Sequence, residues 1–326
     1  MGALHAQNAR SLQGARLVAV AAVRPGRAAA VAAALGPDVD ACTYEELLAS
    51  DHVDAVVVAA RSVDHADLAA AVLASGKHLF LEKPGATTLA GHDLLRSAAA
   101  EHPELVLQLG YQRRFDADFV EARRLVDSGA IGAPLLVLAT SRDVEWPEDE
   151  RPADTGGFLV DMAVHDYDLA CWFLGGRPVE VSAVRQARVY PRLEALGDLD
   201  NALVTIRFAD GGAAFTHVSR TSAFGHDVRC EIVGSEGSVL VGGLDGGEGV
   251  VALTGRDRAR FPQDFRDRFA DAYRAELAAF VAACRGEPRQ GAGLDEDRLA
   301  VEVGVAARAS ALAGKPLEVG LDWPWS

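Results

Sequence analysis

The sequence predicts a two-domain chain of the α/β plus α+β class, in which a parallel sheet covered by helices is followed by a domain built on a large, mainly antiparallel open sheet. The length, 326 residues, exceeds what one hydrophobic core usually supports. Residues 15–115 alternate short β-branched runs with longer Ala/Leu-rich stretches. From about residue 133 the segments lengthen, alternate apolar with polar, and are punctuated by glycine turns.

Within the first stretch, strands are expected at 17–21, 55–59, 79–81 and 106–109, with helices at 27–35, 65–75 and 88–100 between them. Gly36, Gly76 and Pro84 close the connections, so the rhythm reads as βαβ units. Residues 55–59, Ala-Val-Val-Val-Ala, are apolar throughout, as expected when helices cover both faces of a sheet. Further on, strands are expected at 135–140, 179–189, 202–208, 213–218, 228–233 and 238–241. Asp210-Gly211-Gly212 and Gly234-Ser235-Glu236-Gly237 supply hairpin turns. Phe269, Tyr273, Leu277, Phe280, Val281 and Cys284 recur at helical spacing, and 294–313 gives a second supporting helix. Residues 242–265, rich in glycine and charge, read as an irregular excursion that serves as a lid or an oligomer contact.

Hydrophobic residues at 49% and charged residues at 24% exclude a disordered chain. A net charge of -15 argues against nucleic-acid and anionic-membrane partners, because phosphate-binding surfaces are built from clustered Lys and Arg. Cys42, Cys171, Cys230 and Cys284 are isolated and form no C-x-x-C pair, so neither a zinc site nor a disulfide framework is expected. They read as reduced core residues of a cytoplasmic protein. No stretch approaches the roughly 18–20 uncharged apolar residues of a membrane span.

Two clusters carry chemistry. Glu82-Lys83-Pro84 follows directly on the strand 79–81, and the carboxyl ends of strands border the ligand crevice of an open parallel sheet. A lysine there can donate to a hydroxyl and stabilise a developing alkoxide; the competing reading is a surface lysine beside a turn proline. The second cluster is 156–168, in which Asp161 and His165 lie at i and i+4 if a helix starts after Gly156-Gly157. His165 suits taking a hydroxyl proton near neutral pH, and a nearby carboxylate can orient it or bind a second hydroxyl. Asp161, His165, Asp166 and Asp168 are also possible metal ligands, but no further His or Cys set is at hand to complete a shell, and no metal is expected.

These residues resemble the glucose-fructose oxidoreductase and inositol dehydrogenase family, Gfo/Idh/MocA, over nearly the whole chain. The resemblance is carried by Gly2-Ala3-Leu4-His5-Ala6 leading to 17–20, Asp64-His65, Gly76-Lys77-His78, Glu82-Lys83-Pro84, the run 110–116 and the run 156–168. Arg113-Arg114-Phe115-Asp116, Ser141-Arg142-Asp143 and 161–166 are most similar to the inositol 2-dehydrogenase branch. The resemblance implies hydride transfer from a cyclic polyol or sugar to NAD or NADP. Lys83, Asp161 and His165 would be catalytic, with Asp161 supporting His165 or binding substrate. Gly2, Ala22, Arg24, Ala59, His65, Glu82 and Lys83 would face the cofactor, and Tyr111, Arg113, Asp143 and Asp161 the substrate. It further implies a Rossmann-like NAD(P)-binding domain over 1–115, a substrate and oligomerisation domain over 116–326, and a homodimer or homotetramer formed through the open sheet face.

Two departures stand out. The family begins with a strand and Gly-x-Gly-x-x-Gly, whereas here Met1-Gly2 is the alignable start, with Gly2 at the last glycine. A truncated gene model or mis-set start is the expectation, and a catalytically silent dinucleotide- or sugar-binding protein is the alternative function. Ala22 stands where the family usually has an acid for the ribose hydroxyls, and Arg24 follows, an arrangement compatible with NADP.

Overall fold

The computed structural model describes all residues except 25, 147–150, 244–252, 254 and 322–326. Much of the predicted excursion at 242–265 therefore lies outside the described residues.

The amino-terminal part runs α1 (Gly2–Ser11), β1 (Ala19–Ala21), α2 (Arg27–Leu35), β2 (Asp40–Cys42), α3 (Tyr44–Ala49), β3 (Ala55–Val58), α4 (His65–Ala74), β4 (His78–Glu82), α5 (Leu89–Glu101), β5 (Leu107–Gly110) and α6 (Ala117–Asp127). Every strand pairing here is parallel, as the βαβ rhythm requires. α1, β2, α3 and α6 were not foreseen. For α3 a local signal exists: Thr43 and Glu46 form a capping box, each side chain accepting the other's backbone N–H. The strands form two sheets, β1-β2 and β3-β4-β5, and no described strand joins β1 to β3. β4 is buried from Leu79 to Glu82, whereas β1 and the middle of β3, Val56 and Val57, are only half-buried.

The remainder comprises β6 (Pro134–Arg142), α7 (Pro152–Thr155), α8 (Phe158–Asp161), α9 (Val164–Leu174), β7 (Pro178–Gln186), α10 (Arg192–Ala195), β8 (Asn201–Phe208), β9 (Ala213–Ser219), β10 (Asp227–Gly234), β11 (Ser238–Val241), α11 (Phe265–Arg268), α12 (Ala270–Cys284), α13 (Leu294–Ala313) and β12 (Leu317–Glu318). The described strands build a seven-stranded sheet in the order β11-β10-β6-β9-β8-β7-β12, antiparallel except for β6-β9. β8 shows the period-2 pattern that gives the sheet two unlike faces: Ala202, Val204, Ile206 and Phe208 are buried, while Leu203, Thr205 and Arg207 are exposed. α9 and α13 cover the inner face. The outer face stays open and carries Leu136, Leu138, Val184, Leu203, Phe215 and Leu240. No helix among the described residues is long and apolar enough to cross a membrane.

Two helices tie the halves together. α12, late in the chain, packs back on the parallel sheet, where Phe80 of β4 meets Leu277 and Phe280, with the Phe80 and Phe280 rings 5.7 Å apart edge-on. α13 touches α5 and β5 on one side and α8, α9 and β7 on the other. Its approach to α8 is close because Gly304 has no side chain: a Cβ there would lie 3.1 Å from the Leu159 carbonyl oxygen and 3.3 Å from Val160 Cα. Gly304→Ala is therefore expected to destabilise by about 1–3 kcal/mol through overpacking. The measurement is the urea midpoint, which should fall at unchanged slope; an unmoved midpoint would show that the helix pair tolerates the methyl group.

Candidate active site

Lys83 leaves the carboxyl end of β4, and its ammonium crosses to the second half of the chain, donating to the Asp161 carbonyl oxygen at 2.9 Å and to Asp161 Oδ1 at 3.2 Å. Ser62, at the start of the turn before α4, donates to the same Oδ1 at 3.2 Å. The Lys83 and Asp161 side chains keep 17% and 23% of their surface, so neither is sealed from solvent.

The single helix expected from Phe158 onward is broken. α8 stops at Asp161, a turn at Met162-Ala163 follows in which Ala163 N bonds back to the Phe158 carbonyl, and α9 starts afresh at Val164. Gly156 and Gly157, at φ 81° and 89°, hand the chain into α8, and Asp198 Oδ1 accepts from Phe158 N at 2.9 Å to fix its start. No hydrogen bond or ion pair joins Asp161 to His165 among the described residues. The carboxylate serves Lys83 instead of orienting the imidazole. His165 lies edge-on to the Tyr111 ring at 5.9 Å, and its buried Nδ1 has no hydrogen-bond partner. Burial, then the charges of Lys83 and Arg113, hold its pKa well below the usual 6.5, so the ring is neutral at pH 7.

The other predicted site residues divide into those on the crevice rim and those behind it. Val58 is in register with Leu81, so Ala59 leaves β3 beside Glu82, one residue short of Lys83, and Gly2 at the start of α1 lies against Ala59, where an added Cβ would be 3.9 Å from the Ala59 carbonyl oxygen. The Gly2 and Ala3 amides precede the first intrahelical bonds, which Leu4 and His5 donate to Met1. Amides at a helix start that precede its first intrahelical bonds, against the end of β3, fit one phosphate end of a dinucleotide. Ala22 and exposed Arg24 follow β1 on the neighbouring sheet. Glu82 and His65 are turned inward. Glu82 Oε1 lies 2.6 Å from His5 Nε2; burial is the largest influence and opposes its ionisation, but the His5 hydrogen bond and the charges of His5, Lys83 and His65 together outweigh it and hold the carboxyl below its usual value. The two ring nitrogens of His65 meet the carbonyl oxygens of Pro84 at 2.7 Å and Ala60 at 3.3 Å.

On the substrate side, Tyr111 is buried with its hydroxyl donated to Asp297 at 2.7 Å. Arg113 donates to Asp166 at 2.8 Å and to Ser141 at 2.9 Å, and Ser141 donates to the same Asp166 oxygen at 2.7 Å. Asp143 meets His226 Nδ1 at 2.9 Å. The four residues weighed as metal ligands diverge: Asp161 goes to Lys83, Asp166 to Arg113 and Asp168 to Arg114, leaving His165 alone. Residues of the site that the sequence left unmarked are His5, Ser62, Asp198, His226 and Asp297. Only His5 had a signal, as part of the run Gly2-Ala3-Leu4-His5-Ala6; the others come from distant segments with no spacing rule.

Residues 1–111 match the family model described as the oxidoreductase family, NAD-binding Rossmann fold, and residues 119–240 match the GFO/IDH/MocA C-terminal domain. The chain is 33% identical to scyllo-inositol 2-dehydrogenase (NAD(+)) of Bacillus subtilis, across 98% of this chain and 93% of that protein. It is 32% identical to myo-inositol 2-dehydrogenase of Thermotoga maritima, across 95% and 93%. Its fold superposes with TM-score 0.88 on the crystal structure of scyllo-inositol dehydrogenase from Lactobacillus casei with bound NAD(H) and scyllo-inositol, 27% identical and covering 98% of this chain and 96% of that one.

The depressed His165 pKa links the site to stability. Below pH 6.5 the unfolded histidine gains a proton that the folded one refuses, so its stabilising contribution is present above pH 6.5 and is lost as pH falls toward the folded value. Urea unfolding from pH 8 to pH 5 should show wild type losing more stability than His165→Gln; parallel curves would contradict the depressed pKa.

Proposed function

The chain belongs to the GFO/IDH/MocA oxidoreductase family, and from that premise we propose that it oxidises a ring secondary hydroxyl of an inositol to the ketone with NAD. The observation that carries the mechanism is the Lys83–Asp161 pair placed at the end of β4 beside a neutral, partly exposed His165. Bound NAD supplies the nicotinamide ring that accepts the hydride. The hydroxyl proton passes to His165, whose neutrality leaves it free to accept, while the Lys83 ammonium donates to the same oxygen and offsets the charge developing there. Asp161 holds that ammonium in place through two hydrogen bonds. The carbon loses a hydride, the oxygen loses a proton, and a ketone remains.

On this reading Gly2, Ala22, Arg24, Ala59 and Lys83 line the NAD side, while Glu82 and His65 support it from behind. Tyr111, Arg113 and Asp143 shape the polyol side, with Arg113 acting through Asp166 and Ser141. Residues 1–115 act as the NAD-binding domain and 116–326 as the substrate and oligomerisation domain. The open outer face of the seven-stranded sheet, with Leu138 paired against Phe215, supports a homodimer or homotetramer, because a contiguous apolar sheet face is normally covered. Four free thiols, two of them buried with pKa values of about 12, support a reducing, cytoplasmic setting. A binding-only protein would have no use for the complete Lys83, Asp161 and His165 set.

Turnover of inositols with NAD tests the function. Lys83→Ala and His165→Ala are each expected to lower kcat by roughly 10²- to 10⁴-fold, with NAD affinity little changed in His165→Ala; full turnover in either variant would remove that residue from the chemistry. Light scattering tests the assembly: wild type should be an oligomer and Phe215→Asp should dissociate it, whereas a monomeric wild type would refute the sheet interface.

A further inference from the structure

We propose that Asp297, 212 residues from the turn it binds, is a positioning residue for the dehydrogenase reaction: it clamps the Lys83-Pro84-Gly85 turn and, through Tyr111, the wall behind His165. This rests on the polyol oxidation proposed above. Asp297 lies in the first turn of α13 and is completely buried. Both its oxygens are 3.1 Å from Gly85 N, Oδ1 accepts the Tyr111 hydroxyl at 2.7 Å, and Oδ2 is 3.2 Å from His92 Nε2. No Lys or Arg ion pair to Asp297 occurs among the described residues, in contrast to the buried Asp166, which meets Arg113, and Asp168, which meets Arg114.

A buried carboxylate without a cation is an expensive way to add stability. Its partners indicate a different service. Pro84 has no N–H, so the turn offers two backbone donors, Lys83 N and Gly85 N. Glu82 Oε2 takes the first at 3.2 Å and Asp297 takes the second, while His65 reaches the Pro84 carbonyl at 2.7 Å. Every hydrogen-bonding group named here along the turn is thus tied to a buried side chain, and the only tie from the far end of the chain is Asp297. Gly85 is required for it, because a Cβ there would lie 2.5 Å from Asp297 Oδ2. The second arm fixes Tyr111, whose ring edge meets His165; burial and the Asp297 charge push the Tyr111 hydroxyl pKa well above 10, so it remains a donor. One carboxylate therefore sets the distance between the proton acceptor and the lysine that shares its substrate oxygen.

The test compares wild type, Asp297→Asn, Asp297→Ala and Tyr111→Phe as full chains, by steady-state kinetics with NAD and inositol and by hydrogen exchange of peptides covering residues 83–91. Asp297→Asn keeps an acceptor and the shape, so it should fold, lose about tenfold in kcat with KM nearly unchanged, and exchange faster at 83–91 than elsewhere. Asp297→Ala should lose about 10²-fold, the cost of an ångström-scale misplacement. Tyr111→Phe should show a smaller kcat loss with exchange at 83–91 close to wild type. A lowered urea midpoint in Asp297→Asn with wild-type kcat and wild-type exchange at 83–91 would reduce Asp297 to a structural residue and overturn the proposal. Exchange needs no turnover: if wild type oxidises no inositol, the functional reading fails, and unchanged exchange in Asp297→Asn still refutes the clamp while accelerated exchange still upholds it.

Discussion

The bond from Lys83 to Asp161 is the contact around which the molecule is arranged. It spans 78 residues of sequence and joins the end of a parallel strand to a four-residue helix belonging to the other sheet. Neither partner can be placed by its own neighbourhood. Lys83 depends on a buried β4 and a turn held by His65 and Asp297, while Asp161 depends on a glycine entry, the Asp198 cap on Phe158 and the close passage of α13 at Gly304. The helices that cross between the sheets, α12 and α13, are therefore part of the site's geometry although they contribute no exposed group to it.

Electrostatics explains how an acidic chain keeps a neutral histidine ready. The net charge is -15, yet burial first, and then the nearby charges of Lys83 and Arg113, disfavour protonation of His165. The carboxylates that could reverse this are engaged elsewhere: Asp166 with Arg113 and Ser141, Asp168 with Arg114, Asp161 with Lys83. Such buried pairs are weak grounds for stability, since desolvation offsets most of their attraction. Their effect here is on the protonation state of a neighbour and on the directions in which side chains point.

Legibility followed the range of the physical signal. The strands and helices of both sheets were readable because period-2 and period-3.6 apolar patterns are local; α13 spans Leu294–Ala313 as expected, and β8 alternates residue by residue. β2, three residues with an aspartate at its head, is too short and polar to stand out, and α3 and α6 passed unread although Thr43 and Asp116 cap them. The division of the parallel strands into β1-β2 and β3-β4-β5 carries no apolar pattern of its own in the sequence. In the site, Lys83, Asp161 and His165 were visible, but their pairing was not: the Lys83–Asp161 bond joins residues 78 apart, and no local spacing encodes it.

The sequence alone determined the class of fold and the family, and marked Lys83, Asp161 and His165 as candidates for the chemistry, because each rests on residue type and near-neighbour spacing. Tertiary structure decided who partners whom. Asp161 bonds Lys83 and not His165, Glu82 turns to His5, and Asp297 reaches Gly85 and Tyr111. Hydrogen bonds of about 3 Å between segments up to 212 residues apart depend on the packing of whole helices, and no local pattern encodes that distance.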